Sequence, residues 1–297
     1  VLNWQQQGEG LRPAFVVLRA ELKRRCQRCS GQEQATRSNN RRTHDAEYYR
    51  AFTQQRLAPD LERRIGFREH TRHPDVIERT RLECAGTVLA ARLALEHGVA
   101  CHLAGGTHHA HADAGSGFCI LNDLAIAASY ARRRLGVSRV LVVDLDVHQG
   151  DGTARLLADD AGAFTFSVHC ADNFPLRKAA SDLDVPLPAG CGDAAYEAAL
   201  APALVGVLDS FRPQLVLYDA GVDVWEGDAL GGLALSHAGI YKRDTYVFRE
   251  CAKRHVCVAA VSGGGDDRGL EARGRRHSLM GRAAARVAFG GRRARRE

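Results

Sequence analysis

Asp144, Asp146 and His148 stand at every second position of RVLVVDLDVHQGDGTA (139–154), directly after the apolar run Val140 to Val143. Alternation along an extended strand turns all three to one face and sends Leu145 and Val147 into packing on the other. Two carboxylates crowded at a buried strand end lose hydration and repel each other. A divalent cation relieves that cost, and carboxylate with imidazole is a ligand set it accepts. The competing reading is a pair of helix-capping or turn-starting aspartates, and Asp151-Gly152 does have turn chemistry. The strand setting favours the metal, because open α/β sheets place their sites at the C-terminal ends of parallel strands.

Two further segments carry groups such a centre needs. LVLYDAGVDVWEGDALGG (215–232) is again an apolar strand running into acidic residues, and offers Asp219, Asp223, Glu226 and Asp228 as a third ligand. Spacing does not choose among them. LAGGTHHAHADAGSGFC (103–119) sets His108 and His109 side by side after Gly105-Gly106, with Gly115 and Gly117 following. On a strand adjacent histidines face opposite ways; on an irregular glycine-opened loop both turn into one cavity. His111 has no role in this reading and is expected to be exposed.

The elements that must hold these residues alternate. Strands are expected at 99–104, 139–147, 163–169, 215–222 and 256–265, and helices at 73–98, 121–136, 192–211 and 237–254. Near-continuous apolar strands separated by helices predict an α/β fold, a three-layer α/β/α sandwich around a mainly parallel sheet. One domain over 44–290 is the simplest organisation. It follows a poorly patterned segment, 1–43, with a helix at 13–25 and a polar loop at 28–42, and precedes a basic tail, 291–297.

GGTHHA, GSGFC, DLDVHQGDG, SVHCADNFP, AGVDVWEGDALGGLALS and VSGGG stand in the order found in the zinc-dependent histone deacetylase and acetylpolyamine amidohydrolase family. The chain resembles its class IV and bacterial branch over roughly residues 44–290. The resemblance implies an arginase/deacetylase-like fold and hydrolysis of an acylated lysine side chain or an acetylated small amine. It implies Zn²⁺ on Asp146, His148 and Asp223, a ligand set that Fe²⁺, Mn²⁺ or Co²⁺ would also suit. It matches His108 and His109 to tandem catalytic histidines, with Asp144 and Asp151 as their carboxylates. Gly117 and Phe118 match one wall of an acyl-lysine channel and Phe174 the other. Asp144, Asp146 and His148 with Ser167 and Val168 match a structural K⁺ site built partly from backbone carbonyls.

The sequence departs from that pattern in one telling place. Family members with strong activity carry a tyrosine directly after the last glycine run, and VSGGGDDRG has Asp266 there. A carboxylate facing a developing oxyanion repels it unless protonated, and loss of one such donor costs about 3–4 kcal/mol, ~10²–10³ in rate. Two expectations follow: a metal-dependent deacylase of reduced rate, or an acyl-lysine-binding scaffold that keeps the metal without turnover.

Composition sets the outer bounds. The chain has 297 residues, 45% hydrophobic and 26% charged, ordinary globular values. Residues 273–297 hold nine arginines against one glutamate, a net +8, and leave −2 for the other 272. That stretch reads as a solvated, disordered basic tail; beyond it nothing indicates nucleic acid. No apolar run approaches the roughly 20 residues of a bilayer span, and VLNWQQQGEG lacks the basic-then-apolar pattern of a signal peptide. Nine scattered cysteines read as reduced thiols, Cys26 and Cys29 included. The expectation is an intracellular, cytoplasmic protein without a membrane partner, nuclear if the source is eukaryotic.

Overall fold

The computed structural model describes residues 43–266 and 269–293. The helix and loop expected before residue 43, and residues 294–297, lie outside them. Six strands make one all-parallel sheet: β1 (Val99–His102), β2 (Val140–Asp144), β3 (Ala163–Cys170), β4 (Leu183–Leu187), β5 (Leu215–Asp219) and β6 (Cys257–Val261). Their order is β1-β6-β5-β2-β3-β4. From β2 the chain winds outward to β4, returns to β5, and continues to β6. The winding therefore reverses between the neighbours β2 and β5, the crevice where such sheets bind ligands.

Helices cover both faces. On one lie α1 (Ala46–Thr53), α2 (Pro59–Ile65), α3 (Pro74–His97), α4 (Asp123–Arg134) and α5 (Asp151–Leu157). On the other lie α6 (Asp193–Phe211), α7 (His237–Lys253) and α8 (Leu270–Arg293). The strands are apolar throughout because each side chain meets one layer or the other. Val140 and Val142 enter the α3–α4 core, whereas Leu141 and Val143 enter the α6–α7 core. Each such fully buried side chain contributes about 1.5–3 kcal/mol. The described cysteines are all free, and six of the seven are buried.

Three elements differ from expectation. β4 was not foreseen: Pro186 interrupts its strand pattern, and its exposed position on the sheet edge makes that proline tolerable. The basic C-terminal stretch is not a solvated tail as far as Arg293. It is the 24-residue helix α8, seated on α7, with Arg276, Met280, Ala283 and Ala284 buried. The spacing 276, 280, 283, 284 is an amphipathic stripe that the arginine count conceals. The Arg276 guanidinium lies 4.0 Å over the Trp225 ring, itself stacked on His237. Finally, α6 is long and apolar enough to cross a membrane by length and composition. Here Tyr196, Leu200, Leu204 and Val207 on it are buried in the core.

Candidate functional site

β2 ends at Asp144, earlier than its apolar pattern implied. Leu145 still donates to the Asp219 carbonyl (3.1 Å). The ladder then gives way to local side-chain acceptors: Asp146 N–H bonds Asp144 Oδ1 at 3.2 Å and His148 N–H bonds Asp146 Oδ1 at 2.9 Å. Asp146 and His148 therefore project from a loop rather than a strand, and the alternating trio separates. Asp144 turns to His108, while Asp146 and His148 meet Asp223.

The first grouping is two imidazole–carboxylate pairs. His108 Nδ1 lies 2.7 Å from Asp144 Oδ2, and His109 Nδ1 2.8 Å from Asp151 Oδ1, all four residues buried. The two rings sit 4.1 Å apart between centroids. Burial opposes a charge on His108, but Asp144 and Asp146 outweigh it and hold its pKa well above the ordinary imidazole value. Burial and the neighbouring His108 charge push His109 down to about 4. Burial would raise Asp151, yet hydrogen bonds from His109 and His111 draw it below the usual carboxylate range. The two adjacent rings are thus driven in opposite directions, His108 toward the charged form and His109 toward the neutral one.

His111 is buried, contrary to expectation, and its Nε2 lies 3.1 Å from Asp151 Oδ2. It braces the carboxylate from the side opposite His109. His44, also unforeseen, bonds the His111 carbonyl through Nδ1 (2.7 Å) and accepts the Asn122 N–H at Nε2 (2.9 Å). Burial pushes its pKa down to about 4, consistent with a neutral ring that donates at one nitrogen and accepts at the other. The histidine loop is pinned to the start of α4. Asn122 caps that helix and donates to the His108 and Ala110 carbonyls, and Asp123 accepts from Thr107 N–H at 2.7 Å. Asn-Asp ahead of the apolar LAIAA run was the available signal.

The second grouping is acidic. His148 Nδ1 lies 3.0 Å from Asp146 Oδ1 and 3.2 Å from Asp223 Oδ2. One donor atom from each of these three residues falls within 4.8 Å of the other two, so they could hold one metal ion. Glu226 is exposed, and Asp228 serves a turn, accepting from Leu230 and Asp266 N–H groups. Val147 N–H fixes Asp223 Oδ1 at 2.9 Å and Gly264 N–H fixes Asp146 Oδ2 at 2.8 Å. Asp223 Oδ2 faces only the His148 ring, 3.2 Å away, without a well-formed hydrogen bond. Burial and the Asp146 charge lift Asp223 to about 7, while Asp146 and Asp223 lift His148 to about 10 against its burial. Gly264 is small for a reason: a Cβ there would lie 2.1 Å from Asp223 Oδ2 and 2.6 Å from Asp146 Oδ2.

His108, Asp144 and Asp219 form a second set of potential ligands within the same 4.8 Å limit. Asp219 pairs in register with Asp144 across β5 and β2. It is 0% exposed, neither carboxylate oxygen has a hydrogen-bond partner, and His108 Nδ1 is 3.9 Å away. Burial and the Asp144 charge raise its pKa well above the ordinary carboxylate value.

The apolar residues gather at the mouth. Phe174 meets His109 edge-on at 4.8 Å between centroids. Gly117 lies against both, since a Cβ on it would come 2.6 Å from His109 Cδ2 and 3.1 Å from Phe174 Cε1. Phe118 leans on Phe67 (5.7 Å), and Phe118 and Phe174 remain 51% and 38% exposed. Ser167 stands beside Asp144 in the β3–β2 register, its Oγ 2.9 Å from His169 Nδ1, and Val168 is buried. Asp266, half-buried, donates its N–H to Asp228 Oδ2 at 2.8 Å. Burial, then Asp228 and Asp146, raise its carboxyl pKa.

Comparison with known proteins gives this arrangement a context. The family model for the histone deacetylase domain matches residues 12–277. An uncharacterised protein of Picosynechococcus sp. is 49% identical over 244 residues, covering 82% of this chain and 80% of that protein. Histone deacetylase 2 of Arabidopsis thaliana is 37% identical over 188 residues, 62% of this chain and 49% of the relative. Histone deacetylase 14, chloroplastic, of the same plant is 32% identical over 171 residues, 53% and 40% respectively. The chain thus spans half or less of the length of these two plant relatives.

Proposed function

The chain belongs to the histone deacetylase family, and from that premise we propose that it is a metal-dependent deacylase that releases acetyl or similar groups from lysine side chains or small amines. The observation that carries the reading is the buried Asp146–His148–Asp223 corner, its donor atoms within 4.8 Å of one another, beside two carboxylate-held histidines. Two carboxylates buried side by side are costly, and a divalent cation would offset that cost at this corner. Two carboxylates and a neutral imidazole suit Zn²⁺ and also Fe²⁺, Mn²⁺ or Co²⁺. When bound, such an ion polarises the acyl carbonyl and lowers the pKa of water.

The chain's own residues supply the rest. Asp151 holds the proton of His109 on Nδ1, leaving Nε2 to take a proton from the attacking water and return it to the departing amine. Asp144 keeps His108 charged beside it, adding positive potential where negative charge develops. Phe174 and the Gly117-Phe118 turn form apolar walls for a narrow aliphatic stem. A K⁺ ion near Asp144, Asp146, His148, Ser167 and Val168 belongs to the same reading.

Asp266 favours a second reading, an acyl-lysine binder without turnover, because a carboxyl stands where the oxyanion donor is expected. One experiment separates the two. Wild type and Asp266→Tyr, each loaded with one equivalent of Zn²⁺, are assayed for acetate release from an acetyl-lysine peptide and an N-acetylpolyamine. Release that a chelator and His109→Ala both abolish is the expected result. Saturable hydroxamate binding with no release by either protein would select the binder; absence of both overturns the proposal.

A further inference from the structure

Arg243 is a fully charged side chain in the apolar core, 3% exposed, yet it lies outside the site described above. It sits on α7, in the helix layer across the sheet from the α4 terminus that anchors the histidine loop. Its Nη1 donates to two carbonyls at once, Leu145 O at 2.9 Å and Gly221 O at 2.8 Å. Leu145 immediately precedes Asp146, and Gly221 is two residues before Asp223. The two carbonyls therefore belong to the separate loops that carry the acidic corner. We propose that Arg243 is a positioning residue for the ion-binding corner: one guanidinium ties the Asp146–His148 loop to the Asp223 loop from behind and fixes the spacing of their ligands.

The inference rests on the metal reading of that corner and adds a residue that touches neither ion nor substrate. Both loops have left the regular strand ladder at this point, so the sheet alone no longer sets their separation. A Cβ at Gly221 would lie 2.4 Å from Asp146 Oδ2, so the loops are already in close contact and a small shift of either displaces a ligand oxygen. The guanidinium is itself held in place. Its Nε bonds Asp244 Oδ1 at 2.9 Å, and that oxygen also accepts Tyr218 Oη–H at 2.5 Å from β5. A buried arginine is retained only with such partners, and its rigid guanidinium holds Nη1 on the two carbonyls while Nε is anchored by Asp244, a combination that a lysine ammonium does not offer. Residues that orient ligands without binding the ion commonly change metal affinity ~10–100-fold when removed.

Arg243→Met and Arg243→Lys test this through Zn²⁺ affinity by chelator competition and through amide hydrogen exchange. Arg243→Met is expected to weaken Zn²⁺ binding by ~10–100-fold, with Arg243→Lys between it and wild type. In the ion-free variants, exchange should accelerate at loop amides such as Val147 and Gly264 while those of β2 and β5 keep wild-type rates. A uniform rise across the sheet, or Zn²⁺ affinity and loop exchange both unchanged in a folded variant, overturns the proposal. If Arg243→Met does not fold, Arg243→Lys decides by the same two readouts. Should wild type bind no ion at all, the proposed function falls, and the exchange pattern alone decides whether Arg243 positions the two loops.

Discussion

The two sides of the site are built unlike each other. On the histidine side each ring meets a carboxylate at 2.7 or 2.8 Å, and His111, His44 and Asn122 close the network behind them. On the acidic side both oxygens of Asp219 lack hydrogen-bond partners although fully buried, and Asp223 Oδ2 faces only the His148 ring at 3.2 Å. A closed network orients groups that are already complete. An open one marks where a positive species, a cation or a proton, completes the balance. Under the proposed function, the contrast gives proton transfer to the closed side and charge compensation to the open side.

Removing the base tests that division most severely. His109→Ala should lower kcat by ~10²–10⁴ while leaving Zn²⁺ affinity near wild type, whereas Asp223→Ala should abolish ion binding. Equal loss of ion binding in both variants would erase the distinction between the two sides. Next in size is Asp266→Tyr. Restoring a neutral donor at the glycine run should raise kcat by ~10²–10³ with little change in KM, read in the same acetate-release assay. A tyrosine without effect would mean that Asp266 does not face the reacting carbonyl.

Asp144 and Asp219 allow a finer comparison, because they are register partners with opposite roles. Asp144→Asn removes the charge that orients His108 and should cost ~10–100-fold in kcat. Asp219→Asn replaces a carboxyl whose pKa burial and Asp144 raise, and should change kcat less than Asp144→Asn does. The reverse order would show that Asp219 is the ionised partner.

A proton count probes the acidic side without a substitution. In the ion-free protein His148 is lifted to about 10 and carries a proton at neutral pH. A ligand nitrogen must be deprotonated, so each ion displaces that proton and affinity rises about tenfold per pH unit from about 7 to about 10 before levelling. Below about 7, Asp223 also begins to hold a proton and the slope steepens. Chelator competition at stepped pH measures it, and a flat profile would remove His148 from the ligand set.

Much of this was legible along the chain. The apolar strands, the parallel α/β/α class and the clustering of chemistry at strand ends follow from local pattern, because burial on both faces leaves a continuous hydrophobic signature. The glycines of GGTHH marked an irregular loop able to turn both histidines into one cavity. Less visible were α8, hidden by its arginines, and β4, interrupted by Pro186. His44 and His111 were obscured for another reason: one histidine on a loop looks the same whether solvated or braced against a carboxylate 40 residues away.

What the sequence alone determined is therefore the sheet, its layers, and the inventory of acids and imidazoles delivered to one edge. Tertiary structure decided which of them pair. The separation of Asp144 from Asp146 and His148, the gathering of Asp223 with Asp146 and of Asp219 with Asp144, and the reach of Arg243 to two carbonyls all depend on where neighbouring strands end. That is set by packing between residues distant in sequence, and a hydrophobic period, however clear, records only which face a residue presents and not what waits there.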